Sequence, residues 1–566
     1  GSYASRLDDR SALASEARRS AALRRLAELR ALDPERLNGG GVKLTYSVLR
    51  EQFEAAAQAA DFDYGAFTPL GGVRPYVLNQ LDSAFLTLPE FFERRHNIHD
   101  LADAEAYLSR LRAVAAAIDA ETARARTDAA AGVRPPVYIN DAVVALLDAI
   151  AARPALQQVY VTSLRDKLDA LAAAEPDTIA RERLQQQALG LEAQAEIIVR
   201  DQIIPAHQRA AAFLRADRIN AGEDAGVWPL PRGVEFYAAT LRVETTTTLS
   251  PDQIHRIGLD RVRALGNELD IALRRVGLTE GPVGVRLAQL SADPRYRYPD
   301  SDEGRAQVIA DVQARVNRVL ERAPQWFGHL PRAPLEVRRV PDFLEASQPG
   351  AFYSSPSLDG ATPGVYYINL RNLAEMTRID LPTQDFHEAV PGHHFQVALA
   401  QEQTQIPLLR RLIAFNAYGE GWGLYAEELA DEQGFHDGDP IGRIGFLRWQ
   451  LWRAARLVVD TGLHAQRWTR GQAIDYLTQT TGDAPGTIAT EVDRYIVWPG
   501  QACGYEIGRR EIMRLREHAR AQLGPDFDLR GFHDAVLLNG EIPLPVLEQL
   551  VEEWTPRQRA LAEREG

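Results

Sequence analysis

The spacing of its apolar residues constrains this chain more than anything else in it. They recur at three- and four-residue intervals over most of the length, the periodicity that lines one face of an α-helix. Segments near 5–32, 102–127, 139–174 and 178–215 are rich in Ala, Leu, Arg and Glu and read as amphipathic scaffold helices. Breakers such as Arg134-Pro135-Pro136 and Glu175-Pro176-Asp177 separate them. The stretch 226–249 changes character, and Ser250-Pro251-Asp252 then marks a helix start. Ser250 serves as N-cap and Pro251 as first helical residue, with the helix running to about 275. Further helices are predicted near 383–402, 409–432, 440–469, 486–497, 503–523 and 543–563.

One region departs from this pattern. Leu335 to Val340 alternates as a strand does, and Gly364 to Leu370 reads as another, with the aromatic, turn-rich segment Ala351 to Gly360 between them. A chain of 566 residues exceeds the usual single core. The expected fold is mainly α, with two lobes and one small sheet at about 334–370. An N-terminal lobe is placed at 1–225 and a catalytic lobe at 226–566, with its chemistry on helices at about 383–432 and 486–523.

Composition removes several function classes. A formal net charge of -14 disfavours a nucleic-acid partner, which needs clustered Lys and Arg. Cys503 is the only cysteine, so neither an intrachain disulfide nor a Cys-rich zinc site can form. No apolar run reaches the roughly 20 residues that span a bilayer. The opening Gly1-Ser2, without an initiator Met, reads as the scar of a removed tag. Such a start is compatible with a removed export signal, and a periplasmic or exported location is slightly favoured over a cytoplasmic one.

The chemistry concentrates in His387-Glu388-Ala-Val-Pro-Gly-His393-His394. An adjacent His-Glu pair on a helix divides the labour of a zinc hydrolase: the His holds the ion, and the Glu, turned about 100° around the helix, serves as general base. A second His would ordinarily follow at i+4, but position 391 is Pro. Pro391 cannot bond back to the carbonyl of His387, so a widening or bulge is expected, helped by the backbone freedom of Gly392. Looping out two residues would return His393 to the i+4 place. His394, at i+7, shares the face of His387 but lies roughly 10 Å along an unbroken helix. His393 is thus the preferred second ligand and His394 the alternative.

A catalytic zinc takes three protein ligands. Glu420 is the leading third, because glycines crowd around it in Tyr418-Gly-Glu420-Gly-Trp-Gly423-Leu-Tyr425-Ala-Glu427, and mid-helix glycines cost about 1 kcal/mol each against Ala. Glu427 is the alternative, and whichever carboxylate is off the metal could orient a ligand His through its other ring nitrogen. For transition-state stabilisation the best region is Arg494-Tyr495-Ile-Val-Trp-Pro-Gly-Gln501-Ala-Cys-Gly-Tyr505. Tyr505 is the chosen donor, assisted by Arg494, with Tyr495 and Gln501 contacting substrate. Tyr366, Tyr367 and Asn369 mark a strand that could pair with an extended peptide.

Taken together, the runs 387–396, 420–425 and 494–505, with Pro363-Gly-Val-Tyr-Tyr-Ile-Asn369, resemble the bacterial domain-of-unknown-function 885 family. That family looks like a distant branch of the Glu-zincin peptidases. Glu420-Gly-Trp-Gly-Leu-Tyr425 is similar to the Glu-Gly-Phe-x-x-Tyr segment of the aminopeptidase N group, whose Glu binds zinc. The helical architecture is similar to that of the thermostable carboxypeptidases, the oligopeptidases and angiotensin-converting enzyme, where a Gly-His pair supplies the second ligand, and this likeness implies a deep central cleft between two helical lobes. Dipeptidyl peptidase III offers an analogy for extra residues between two His ligands. The resemblance implies one Zn2+ per chain and a metallopeptidase acting on short peptides or peptide-like amides. The competing readings are a zinc amidohydrolase or esterase acting on a non-peptide metabolite, and a non-catalytic zinc protein that binds peptides.

Overall fold

Helix α1 (Pro251–Arg275) shows most directly how local sequence sets an element. Ser250 Oγ accepts from the backbone N–H of Gln253, and the Gln253 side chain accepts from Ser250 N–H at 2.8 Å, with Pro251 at the first position. This is the start and extent predicted from sequence. The structure, a computed structural model, describes residues 3–341, 345, 350–358, 360, 362–373 and 376–565. Gly1 and Ser2, and Asp359 within the turn-rich segment, lie outside the described residues.

The fold is mainly α. The chain divides into two units. One holds 1–24, 59–233 and 496–498, and the other 25–58, 234–495 and 499–566. Helices Leu101–Ala130, Val137–Ala151, Val159–Ala174, Thr178–Ile198 and Ile204–Asp217 build the first unit around Tyr107, Leu111, Val143, Tyr160 and Leu164. The single helix expected over 139–174 is broken at Arg153-Pro154, since Pro154 cannot continue an α-helix. The expected 178–215 helix runs on through a π turn, Val199–Ile203, just ahead of Pro205, whose missing N–H the wider turn accommodates. In the second unit, Leu265 and Leu269 of α1 form a core with Leu287, Ile444 and Leu451.

The sheet lies where the alternation placed it. Strands β1 (Leu335–Arg339), β2 (Ala351–Ser354) and β3 (Gly364–Ile368) form one sheet with β3 in the middle. It runs parallel to β1 and antiparallel to β2. This corrects the idea that β3 pairs with a peptide: both of its edges are already hydrogen-bonded within the protein. A separate two-stranded hairpin, Ala66–Thr68 with Gly72–Arg74, belongs to the first unit. Among the described residues, no helix is long and apolar enough to cross a membrane.

Five further helices position the site: α2 (Leu381–Glu388), α3 (His393–Glu402), α4 (Asn416–Glu432), α5 (Pro440–His464) and α6 (Gln501–Leu523). Thr383, expected as an N-cap, is inside α2, whose N-cap position is Asp380.

Candidate metal centre

Helix α2 is fixed from below. Asp385 is buried and accepts from Arg315 Nε at 2.7 Å and from the Tyr366 hydroxyl at 3.0 Å. Burial pushes the Asp385 carboxyl up to about 6, with Arg315 pulling against it. Two residues on, His387 is buried, and Glu388 is half-buried at the last position of the helix. The helix then stops instead of bulging. Residues 389–392 are non-helical, and α3 starts anew at His393. The break is sharper than expected because Pro391 removes a helical bond and Gly392 packs against the helix end. A Cβ at Gly392 would lie 1.9 Å from the His387 carbonyl oxygen, so only glycine permits the approach.

The restart brings His393 to His387, with ring centres 4.8 Å apart and planes at 86°. Glu420 of α4 completes the group. Its Oε2 is 3.3 Å from His387 Nε2 and 3.6 Å from His393 Nε2. One ligand atom from each of His387, His393 and Glu420 lies within 4.8 Å of the others. His394 points elsewhere. Its Nδ1 is 3.0 Å from the Tyr353 hydroxyl, and burial lowers its pKa to about 4.

Helix α4 is shaped to receive the His387 ring. Glu420, Gly423 and Glu427 fall on one stripe of the helix. Glu420 meets His387 Nε2, and Glu427 Oε1 meets Nδ1 at 2.8 Å. Gly423, between them, leaves the slot: a Cβ there would sit 2.5 Å from His387 Cε1. Gly421 serves a different contact, since a Cβ on it would fall 2.5 Å from the Gly508 Cα, where α4 crosses α6. Glu427 is fully buried and is held in turn by Gln450 Nε2 of α5 at 2.9 Å.

These contacts create a demand for positive charge. Burial opposes it, yet Glu420 and Glu427 together push the His387 imidazole up to about 10. Burial likewise works to raise Glu420, and hydrogen bonds from His387 and His393 outweigh it and hold the carboxyl well below its usual range. The donor set fits a divalent zinc ion: two imidazole nitrogens, one carboxylate, and a buried carboxylate behind the first His.

Beside the centre, the Tyr505 ring of α6 stacks on His387 at 6.3 Å and 20°. Arg494 Nη2 donates to Gln501 Oε1 at 2.9 Å, and Gln501 Nε2 donates to Asn416 Oδ1 at 3.1 Å. The Tyr495 hydroxyl accepts from Arg456 Nε at 3.0 Å and is buried. Tyr366 is also fully buried and committed to Asp385, so it braces α2 and cannot contact substrate. Tyr367 stacks on Phe352 at 5.1 Å. Asn369 donates to the Glu345 carbonyl and lines a cavity of about 450 Å³. Gln384, Arg448, Trp449, Trp452 and Ile488 share that lining.

The model of a family described as "Bacterial protein of unknown function (DUF885)" matches residues 1–551. The chain belongs to that family. The solved structure of a "putative lipoprotein" from Colwellia psychrerythraea is similar to this DUF885 chain, with a TM-score of 0.93 and 33% identity over 98% of this chain and 93% of that one. A "putative lipoprotein of unknown function" from Shewanella oneidensis shares the fold at 18% identity, with a TM-score of 0.69 over 97% of this chain and 94% of that one. No curated protein matches the chain.

Sequence reading of this DUF885 chain did not single out α5, which packs beside the centre. Arg448, Trp449, Gln450, Trp452, Arg453 and Arg456 all lie within nine residues on it. The signal was available: a helix most of whose length is buried carries four guanidinium groups, three of them beside two indoles.

Proposed function

We propose that the protein is a zinc-dependent hydrolase that cleaves peptide bonds in short peptides. The observation that carries this reading is the convergence of His387, His393 and Glu420, with Glu388 next to the first ligand. A purely structural cluster has no use for an additional partly exposed carboxylate at that position. Zinc, when bound, polarises the scissile carbonyl and lowers the pKa of a water molecule into the neutral range. Glu388 accepts the proton of the attacking water and returns it to the departing amine nitrogen. Tyr505 donates a hydrogen bond to the carbonyl oxygen as negative charge develops there. Glu427 holds the His387 Nδ1 proton, which leaves Nε2 free as a ligand.

The description of the Colwellia psychrerythraea relative as a "putative lipoprotein" supports an exported location for this chain too. Metal content by mass spectrometry tests the core of the proposal. Wild type and Glu388→Ala should each carry one zinc, while His387→Ala and Glu420→Ala lose it. Only wild type should then cut members of a peptide library. Wild-type protein that takes up no zinc when supplied with it refutes the reading. Zinc-loaded protein that leaves every peptide intact but hydrolyses non-peptide amides or esters moves the substrate class and keeps the site.

A further inference from the structure

Arg453 and Arg456 face the Tyr505 ring at 5.2 and 4.7 Å, and Arg494 joins them through Glu491. Arg456 spends Nε on the Tyr495 hydroxyl and Nη2 on Glu491 at 3.1 Å. Arg494 lies 3.9 Å from the same Glu491 and donates to the neutral Gln501. Arg453 is 5% exposed, and among the described residues its Nε and Nη1 have no hydrogen-bond partner. Glu491 is shared between Arg456 and Arg494. A buried guanidinium with unmatched donors is costly unless something else completes it.

Aromatic rings supply part of the compensation. Trp449, Trp452 and Tyr505 face the Arg453 guanidinium at 4.4, 4.9 and 5.2 Å. Such contacts engage the face of the guanidinium and leave the in-plane N–H groups on Nε and Nη1 without an acceptor among the described residues. The same Trp449 and Trp452 line the 450 Å³ cavity, and Tyr505 also stacks on His387. Gln384, another lining residue, lies one helical turn before Glu388 on the same face of α2. Trp449 and Trp452 thus stand between the cavity and the unmatched arginine, and Tyr505 stands between that arginine and His387.

We propose that Arg453, backed by Arg456, binds a carboxylate of the substrate, so that the enzyme selects amides carrying a free carboxylate close to the bond it cuts. A planar carboxylate suits an in-plane fork flanked by rings better than a tetrahedral phosphate does. The inference rests on the hydrolase reading for the word substrate, but the binding site stands on its own geometry. The carboxylate comes from either a chain terminus or an acidic side chain.

Calorimetric binding of three probes tests this: N-benzoylglycine, its terminal amide, and an N-acetyl-aspartate dipeptide amide. Each is titrated into zinc-loaded and zinc-stripped wild type, Arg453→Gln and Arg453→Lys. The free acid should bind wild type at least about tenfold tighter than its amide, a loss typical of one charge-assisted pair. The preference should persist without zinc and fall to about onefold in Arg453→Gln at unchanged metal content. If Arg453→Gln fails to fold, Arg453→Lys decides, because it keeps the charge but loses the fork and should show a reduced preference. Tight binding of the aspartyl amide assigns the site to acidic side chains, and its failure assigns it to chain termini. Equal binding of acid and amide to wild type, an undiminished preference in both variants, or inorganic phosphate displacing the acid at equal concentration overturns the proposal. Zinc-loaded protein without acid preference leaves the hydrolase reading intact. Acid preference in a protein that never binds zinc does the reverse.

Discussion

Adding one methyl group at Gly423 should disable the metal centre while the same change four residues earlier does not. Replacing a mid-helix Gly by Ala ordinarily stabilises a protein by about 1 kcal/mol. At Gly423 the new Cβ would lie 2.5 Å from His387 Cε1 and 2.8 Å from both ring nitrogens. Carbon atoms sit comfortably at about 3.5–4.0 Å, so the imidazole must retreat by roughly 1 Å. It has no room to do so without leaving Glu427, 2.8 Å away on Nδ1. Zinc–ligand distances tolerate only about 0.2 Å, and loss of the partner behind a ligand His alone costs about 10–100-fold in affinity. Gly423→Ala should therefore weaken zinc binding by at least about 100-fold by competition with a chromogenic chelator. Gly419→Ala is the control. Its Cβ would meet nothing nearer than a Glu541 oxygen at 3.6 Å, an ordinary contact. It should raise the melting temperature slightly and leave zinc affinity unchanged. Wild-type affinity in a folded Gly423→Ala protein would refute the argument that glycine is there to admit the ring.

Two other substitutions probe the buried polar groups. Glu427→Gln removes the anionic partner of His387 Nδ1 without touching a ligand, and should lower zinc affinity by about 10–100-fold while the fold persists; unchanged affinity in a chelator titration would count against it. Asp460 is buried beneath the Tyr237 hydroxyl and the Gly500 N–H, and burial pushes its carboxyl up to about 7 against 3.8 for the ordinary group. The folded state thus keeps a proton that the unfolded state releases between pH 4 and 7, so this group's contribution to stability falls as pH rises through that window. The melting temperature of Asp460→Asn relative to wild type should rise from pH 4.5 to pH 8, and a difference independent of pH would exclude the assignment.

How far the sequence could be read depended on whether each signal was local. The capping box at Ser250 and the alternation at Leu335–Arg339 are short-range, and both elements formed at their predicted positions. The stretch 276–333 was left without an element, although Val308, Val312, Val316 and Val319 repeat at helical spacing after Ser301 and bury one face of helix Asp302–Arg322. That miss was avoidable. The role of His394 was not readable, because ending one helix and starting another resets the phase between neighbouring histidines. Glu420 and Glu427 posed the opposite problem: both lie on one stripe, and only the insertion of His387 between them shows that each takes a different ring nitrogen. Arg453 could not be singled out among the many arginines until three-dimensional packing left its donors unmatched.

The break between α2 and α3 ties the two halves of the centre together, and this gives a last test. Interrupting a helix next to a metal site strands carbonyl groups in a buried place, where each unmatched one costs about 1–3 kcal/mol. Two of them are recovered here. The His394 N–H donates to the Ala389 carbonyl at 3.1 Å, and the Trp422 indole Nε1 donates to the Pro391 carbonyl at 3.0 Å. Trp422 belongs to α4, the helix that also presents Glu420 and Glu427. The helix holding the carboxylates is thereby pinned to the turn that orients His393. Trp422→Phe keeps an aromatic ring against Phe327, Tyr425 and His533 but removes that donor. Zinc affinity should drop by about tenfold or more, although no ligand has changed, and the melting temperature of the zinc-free protein should fall as well. A variant that loses thermal stability but binds zinc as tightly as wild type would show that the pin serves the fold alone and that His393 is positioned by α3 itself.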